Sequence, residues 1–262
     1  MNKIFSKLMM LMAVTLFVSC SEDEGTDVGT DSAPAVTLYQ YTPDAPYNAD
    51  NDVKLRMAVN NKVESLYYLV EKAADKAAML EEADERAYAE YVIKEGKKVE
   101  LTAGELHADM IVTGLVGEYT ITAVAVNGNA RSWASTTFIG YNWVKVTDAI
   151  SMMNIFTGEE IATELQYASN VDLYRFVDPW GTGVAIAFKW DGGKGVTFTN
   201  SSIATGWSHP NYGLVTFAPS SSKSAYFAQY NAFQFVGTWT VAAGSFGENA
   251  GVIYLSEIPE IN

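Results

Sequence analysis

Residues 110–126 read MIVTGLVGEYTITAVAV, and they are followed by Asn127-Gly128 and by a second strand-like run over residues 131–139. Both runs are rich in β-branched and aromatic residues, which favour extended strands. Asn-Gly between two such runs is a strong signal for a β-hairpin, because both residues tolerate positive φ angles. This stretch therefore predicts two antiparallel strands joined by a tight turn.

The residues before this hairpin predict further strands and one helix. Residues 53–59 (VKLRMAV) alternate between apolar and other side chains, as on a half-buried strand, and residues 36–41 and 65–70 are also strand-like. Residues 71–91 are rich in Ala, Glu and Lys, with apolar positions three and four apart, which indicates a short amphipathic helix. We expect this helix to lie across one edge of a β-sandwich.

A resemblance to a known family rests on the residues around this hairpin. Gly114-Leu115 is followed by Tyr119, four residues after the leucine, and then by alternation into Asn127-Gly128. The pattern resembles the end of a fibronectin type III domain and covers residues 35–140. It implies an immunoglobulin-like sandwich in which Tyr119 forms a structural tyrosine corner. The helical segment departs from an ordinary member, and fold alone does not separate a spacer from a binding module.

Residues 141–262 have fewer charges and more Gly, Ser and aromatic residues than the first part. Many short strand-like runs between turn residues indicate a second β-sandwich or an open barrel. The expected fold class is therefore all-β, with two sandwich domains in tandem and a short helical insertion in the first. Residues 173–180, 187–190 and 206–213 are also similar to a C-terminal module of uncharacterised Bacteroidetes surface lipoproteins. That resemblance implies architecture and location but no mechanism.

The amino terminus predicts export and lipid attachment. Lys3 and Lys7 precede a run of eleven residues that is apolar except for Thr15, which is too short to span a bilayer but suits a signal peptide. The run ends at Cys20 in a pattern that resembles a bacterial lipobox, except that Phe17 stands where leucine is usual. The resemblance implies that residues 1–19 are removed and that acyl chains on Cys20 anchor the protein to a membrane.

The residues after the cysteine predict where the anchored protein faces. Glu22, Asp23 and Glu24 resemble the acidic export signal of Bacteroidetes lipoproteins, which implies the outer face of the outer membrane. Residues 20–34 are polar, acidic and rich in Gly, Ser and Thr, which is typical of a flexible tether. We therefore expect a lipidated tether that presents the folded part outside the cell.

Charge and cysteine count exclude several classes of function. A formal net charge of −14 disfavours nucleic acid as a partner, because phosphates are repelled by an acidic surface. A single cysteine permits no intramolecular disulfide and no thiolate cluster. The two histidines, His107 and His209, lie far apart in the sequence. We expect neither a metal nor a cofactor.

The sequence predicts a protein that is not an enzyme. It contains no G-x-S-x-G elbow, H-E-x-x-H pair or phosphate-binding glycine loop. Ser208 and His209 are neighbours on a strand-like run, so their side chains point to opposite faces and do not form a nucleophile and base. A glycoside hydrolase stays the weakest alternative, because the separation of paired carboxylates is a property of the tertiary structure.

Aromatic residues in predicted loops favour carbohydrate as the ligand. Pyranose rings stack their C–H faces on flat aromatic side chains, while nearby polar groups bind the hydroxyls. Aromatic residues occur in Gly-, Pro- and Asn-rich segments, where binding residues are frequent, at Trp180, Trp207 and Tyr212. The polar candidates beside them are Asp178, His209 and Asn211. The other tryptophans of this part lie in strand-like runs and are assigned to the core: Trp143, Trp190 and Trp239.

Together these observations predict a non-catalytic binding module on the cell surface, with carbohydrate capture as the favoured role. The resemblance to Bacteroidetes surface lipoproteins implies an outer-membrane transporter or other surface lipoproteins as partners. The alternative is a structural or adhesive surface protein, of pilus type or binding other proteins. This alternative predicts strand exchange at sheet edges and contiguous apolar patches.

Overall fold

The computed structural model describes residues 33–257, so the predicted signal peptide, Cys20 and residues 22–24 lie outside the described part. The all-β fold class is confirmed. The first part contains β1 (Val36–Tyr41), β2 (Val53–Val59), β3 (Ser65–Lys72), α1 (Ala73–Glu82), α2 (Glu85–Glu95), β4 (Lys97–Val99), β5 (His107–Val112), β6 (Gly117–Asn127) and β7 (Ala130–Gly140). The second part contains β8 (Trp143–Met152), β9 (Ile161–Ala168), β10 (Leu173–Phe176), β11 (Ile186–Trp190), β12 (Val196–Phe198), β13 (Ile203–His209), β14 (Gly213–Pro219), β15 (Ala225–Phe227), a 3-10 turn (Ala228–Tyr230), β16 (Ala232–Val241) and β17 (Gly244–Leu255).

The first seven strands form two antiparallel sheets. Their orders are β1-β2-β5 and β4-β3-β6-β7. The facing sides of the sheets enclose a core that includes Leu55, Met57, Leu66 and Ala123. The predicted hairpin is confirmed, since β6 and β7 pair along their whole length and Gly128 takes a left-handed φ of 52° in the turn. The two sheets pack face to face as a β-sandwich.

The corner before β6 is held by a lysine. The Lys72 Nζ lies 4.0 Å from the centre of the Tyr119 ring and donates a hydrogen bond to the Val116 carbonyl at 2.6 Å. The hydrogen bond from the Tyr119 hydroxyl that the resemblance implies is not among the contacts of residues 33–257. Tyr119 therefore packs at this corner as an aromatic face for a cation, and does not form the expected tyrosine corner.

The segment predicted as one helix over residues 71–91 forms two helices. β3 continues to Lys72, and the break between α1 and α2 falls at Asp84. The Asp84 side chain accepts a hydrogen bond from the Ala87 backbone N–H at 2.8 Å, which caps the first turn of α2. Neither described helix is long and apolar enough to cross a membrane.

The helices cover the outer face of the four-stranded sheet, and do not lie at its edge. Ala123 and Ala125 of β6 point into the sandwich core, whereas Val124 points outward and packs against Tyr88 and Val92 of α2. All five residues are buried. Burial on both faces explains why β6 is apolar along most of its length and does not alternate.

A polar network lies between the helices and this sheet. The Lys76 Nζ donates to Ser135 Oγ at 2.7 Å and to Thr122 Oγ1 at 3.3 Å. The Tyr88 hydroxyl donates to the Glu71 carboxylate and lies 3.0 Å from Thr122 Oγ1. Burial lowers the pKa of Lys76, while burial and the hydrogen bond to Glu71 raise the pKa of Tyr88.

As the pH rises, we expect the free energy of unfolding to fall less in the Tyr88→Phe variant than in the wild type. Because the pKa of Tyr88 is raised on folding, its contribution is complete below the ordinary value of 10.0 and is lost as the pH rises through the folded value. Lys76 acts in the opposite direction, since its lowered pKa adds stability as the pH rises toward 10.5. Urea unfolding at about pH 8 and about pH 11 measures the difference. An unchanged pH dependence in Tyr88→Phe would contradict this assignment.

The remaining ten strands form one antiparallel sheet. Its order is β12-β11-β10-β9-β8-β17-β16-β14-β13, and β15 also pairs with β16. The sheet curls until the turn before β12 meets β15, where Gly195 bridges Ala225 and the Tyr226 N–H donates to the Lys194 carbonyl at 3.2 Å. The concave side holds an aromatic core that contains Trp190 and Trp239, as predicted. Of the two expected architectures, this curled sheet corresponds to the open barrel.

Asp50 connects the sandwich to the curled sheet. Its Oδ2 accepts hydrogen bonds from Trp143 Nε1 at 2.9 Å and from an Arg175 guanidinium N–H at 2.6 Å. The guanidinium carbon lies 4.2 Å from the centre of the Trp143 ring. The assignment of Trp143 to the core is therefore wrong, because this ring is half-buried at the junction. Each described hydrophobic cluster takes its residues either from 36–138 or from 146–255, and none combines the two ranges. The division of the chain into two domains stays a prediction.

Candidate functional site

Trp180 does not line a binding surface. Its side chain is 2 % exposed and packs edge-on against Phe217, with ring centres 6.2 Å apart. The preceding Pro179 is also buried, and its carbonyl accepts a hydrogen bond from Ser151 Oγ at 2.7 Å. The loop therefore folds inward, because burying a large indole ring stabilises the fold more than exposing it.

Asp178 serves the same loop as a turn residue. Its Oδ1 accepts hydrogen bonds from the backbone N–H groups of Thr182 at 2.6 Å and Gly183 at 2.9 Å. Aspartate side chains often stabilise turns in this way. The expectation that Trp180 offers an exposed ring is therefore wrong, whereas Asp178 holds the backbone of the turn and its binding of ligand stays a prediction.

The four other predicted ligand-binding residues lie at or beside the β13–β14 turn. Five rings pack there in what we call the rim cluster: Phe156, Trp207, His209, Tyr212 and Phe246. Trp207 stacks on Phe156 with ring centres 5.0 Å apart and planes 6° apart. His209 lies 5.5 Å from Phe246 and 4.8 Å from Tyr212. Sequence reasoning missed Phe156 and Phe246, which come from the β8–β9 loop and from β17.

The rim cluster leaves little aromatic surface for a ligand. Phe156 covers one face of Trp207, and the imidazole of His209 is half-buried among other rings. The His209 Nδ1 accepts a hydrogen bond from the Asn211 backbone N–H at 3.1 Å, so the imidazole holds the turn. Tyr212 is 50 % exposed and Asn211 is also exposed. We interpret the cluster as packing that continues the core to one end of the curled sheet.

A different group of aromatic residues forms an open depression on the outer face of β15, β16 and β17. We call it the tyrosine groove, and its volume is about 270 Å³. It is lined by Phe227, Tyr230, Ala232, Gln234, Val252 and Tyr254. Cross-strand pairing places Ala232 between Phe227 and Tyr254, while Gln234 is paired with Val252. Residues paired in this way share one face of a sheet, which explains why their side chains converge.

The turn that carries Tyr230 is fixed by Asn231. This residue adopts a left-handed conformation with φ 47°. Its side chain accepts a hydrogen bond from the Tyr226 hydroxyl at 2.8 Å and donates to the Leu255 carbonyl at 2.9 Å. Asparagine tolerates this backbone conformation better than most residues, so the side chain both permits and locks the turn. Tyr230 is thereby held at the mouth of the groove.

Two exposed rings and an uncharged lining characterise the tyrosine groove. Tyr230 is 68 % exposed and Tyr254 is 44 % exposed. The apolar face continues onto β8, where Ile150 pairs with Tyr254 and Met152 pairs with Val252. None of the residues that line the groove is charged, and Gln234 supplies an amide. A concave, mostly apolar surface with few polar groups is typical of a small-molecule site.

No family model, curated protein or solved structure matches this chain. Among the described residues, no group of three or more His, Cys, Asp or Glu side chains is placed to hold a metal ion. No carboxylate lines the tyrosine groove, so it lacks the pair of acids with which most glycoside hydrolases act.

The residues of the tyrosine groove carried a weak signal in the sequence. Tyr254 alternates with Ile253 and Leu255, which are both buried, so its position alone indicates an outward side chain. Tyr230 follows a short strand-like run and precedes Asn231, a typical turn residue. Pairing between β16 and β17 brings the two tyrosines to one face, and a single sequence does not reveal that register.

Proposed function

We propose that this chain is a non-catalytic binding module that captures carbohydrate in the tyrosine groove. The observation that carries the proposal is the pair of exposed rings, Tyr230 and Tyr254, beside a 270 Å³ depression that also contains Phe227 and Gln234. Aromatic side chains with one apolar face and one polar tip suit a ligand with C–H faces and hydroxyl edges. The Gln234 amide can both donate to and accept from sugar hydroxyls.

The cellular setting is part of the same proposal. An acylated Cys20, the export signal at Glu22, Asp23 and Glu24, and a flexible tether would place the groove outside the outer membrane. The fibronectin type III resemblance of residues 35–140 is supported by the three-stranded and four-stranded sheets of the sandwich. In this setting a surface transporter or another surface lipoprotein would receive the captured polysaccharide.

We expect Tyr230→Ala and Tyr254→Ala each to weaken glycan binding about tenfold, which corresponds to about 1.4 kcal/mol. The physical reason is that each substitution removes one stacking ring while its backbone remains in place. A glycan array with the full-length chain in mild detergent selects the ligand, and isothermal titration then measures its affinity for each variant.

Tyr212→Ala is the matched control, because this tyrosine is equally exposed but lies in the rim cluster. It should leave the affinity unchanged. Loss of binding in Tyr212→Ala with no effect in the groove variants would move the site to the β13–β14 turn. Absence of binding to any glycan by the wild type would contradict the proposal.

A structural or adhesive surface protein is the alternative function. It is favoured by the extension of the groove onto Ile150 and Met152, which are each 38 % exposed and continue the apolar face beyond what a small sugar needs. Contiguous apolar patches often mark surfaces that bind proteins. This apolar patch lies on the broad face of the sheet, and not along an edge strand, where strand exchange would occur. A wild type that binds no glycan would favour this alternative.

A further inference from the structure

The outer face of the three-stranded sheet carries a second group of exposed aromatic residues. Tyr39 and Tyr41 stand two residues apart on β1, so their side chains leave the same face of the strand. Their ring centres are 6.5 Å apart, their planes differ by 29°, and they are 46 % and 47 % exposed. The pair therefore presents two neighbouring aromatic rings to solvent.

Charged residues lie beside this surface because of the strand register. Tyr39 pairs with Arg56 of β2, and Tyr41 pairs with Lys54. Arg56 in turn pairs with Asp109 of β5. A depression of about 310 Å³ is lined by Tyr41, Thr42, Lys54, Arg56 and Asp109. We call these residues, together with Tyr39, the β1 platform.

The β1 platform carries two positive charges and one negative charge. Arg56 binds Asp109 through two hydrogen bonds, Nε to Oδ1 at 2.7 Å and a terminal N–H to Oδ2 at 2.6 Å. This contact lowers the pKa of the Asp109 carboxyl, so the two charges cancel at neutral pH. Lys54 has no ion-pair partner within residues 33–257. It leaves one positive charge at the edge of the aromatic surface.

From this arrangement we infer a second binding site, separate from the tyrosine groove, for a sugar that carries a carboxylate. The apolar face of the ring stacks on Tyr41, and the carboxylate accepts a hydrogen bond from the Lys54 Nζ. The chain as a whole is acidic, with a net charge of −14. At physiological salt, charges more than about 8 Å away are largely screened, so the local excess of Lys54 and Arg56 over Asp109 matters more to a ligand in this depression than the net charge of the chain.

A matched pair of probes tests the site with the full-length chain in mild detergent. One probe is a short oligogalacturonate, and the other is the same oligosaccharide with its carboxylates reduced to neutral alcohols. We expect the wild type to bind the charged probe about tenfold more tightly in isothermal titration. Lys54→Gln should abolish that preference, whereas Tyr41→Ala should weaken the binding of both probes.

Three controls make the outcome decisive. Lys54→Arg keeps the charge and should keep the preference, and Lys62→Gln removes an exposed lysine outside the platform and should change nothing. Tyr254→Ala should also leave oligogalacturonate binding intact, so failure of this site and failure of the tyrosine groove are distinguishable. Equal affinity for the two probes, no binding of either, or a preference that survives Lys54→Gln would overturn the inference.

Discussion

Replacing Trp180 with alanine is expected to lower the free energy of unfolding by about 3–5 kcal/mol and to leave glycan affinity unchanged. The ring is 2 % exposed and packs among core residues that include Phe217, so its removal leaves a large cavity. Such cavities cost both the lost transfer free energy and the lost packing of the neighbours. Urea unfolding followed by circular dichroism measures the change in stability.

Trp180→Phe is the control for this variant. Within residues 33–257 the Trp180 Nε1 is buried without a hydrogen-bond partner, so phenylalanine keeps much of the volume and removes an unsatisfied donor. It should therefore cost less stability than alanine. Loss of glycan binding in Trp180→Ala, with stability unchanged, would instead support the interpretation from sequence that this ring contacts the ligand.

Asp50→Ala is expected to lower the free energy of unfolding by about 2–3 kcal/mol. The substitution leaves the Arg175 guanidinium and the Trp143 N–H without their shared acceptor at the junction. The side chains of Asp50 and Arg175 are 27 % and 20 % exposed, so the loss is smaller than for a fully buried ion pair.

Two control variants test whether the loss of stability depends on the charge of Asp50 and on its position in the loop. Asp50→Asn keeps an acceptor for the indole N–H and should lose less stability than alanine. Asp44→Ala removes an exposed acid from the same loop and should be neutral. If Asp50→Ala unfolds at the same urea concentration as the wild type, the junction does not depend on this carboxylate.

Local patterns were sufficient to predict much of the fold. The hairpin of β6 and β7 and the alternating strand β2 follow from periodicity and turn residues. The single helix over residues 71–91 was wrong in detail, because Asp84 caps a second helix within a segment whose composition is helical throughout. A cap depends on one side chain, whereas composition averages over many.

The candidate site was harder to predict than the fold. Sequence reasoning took loop composition as a sign of exposure, yet Trp180 turned inward and Asp178 bound the backbone. Trp207 was predicted in a loop, but it lies in β13, and Phe156 from a distant loop covers one of its faces. The exposed tyrosines at positions 230 and 254 came from strand-like runs that composition assigns to packing.

The amino-acid sequence by itself determined the all-β class, the main hairpin and the alternation of buried and outward residues along half-buried strands such as β2. These properties depend on neighbours within a few residues, because strand periodicity and turn preference are local. Tertiary structure alone decided which rings face solvent and which charges stay unpaired. Those outcomes depend on distant partners, as where Asp50 meets Arg175 across 125 residues, and burial is a property of everything that packs around a side chain.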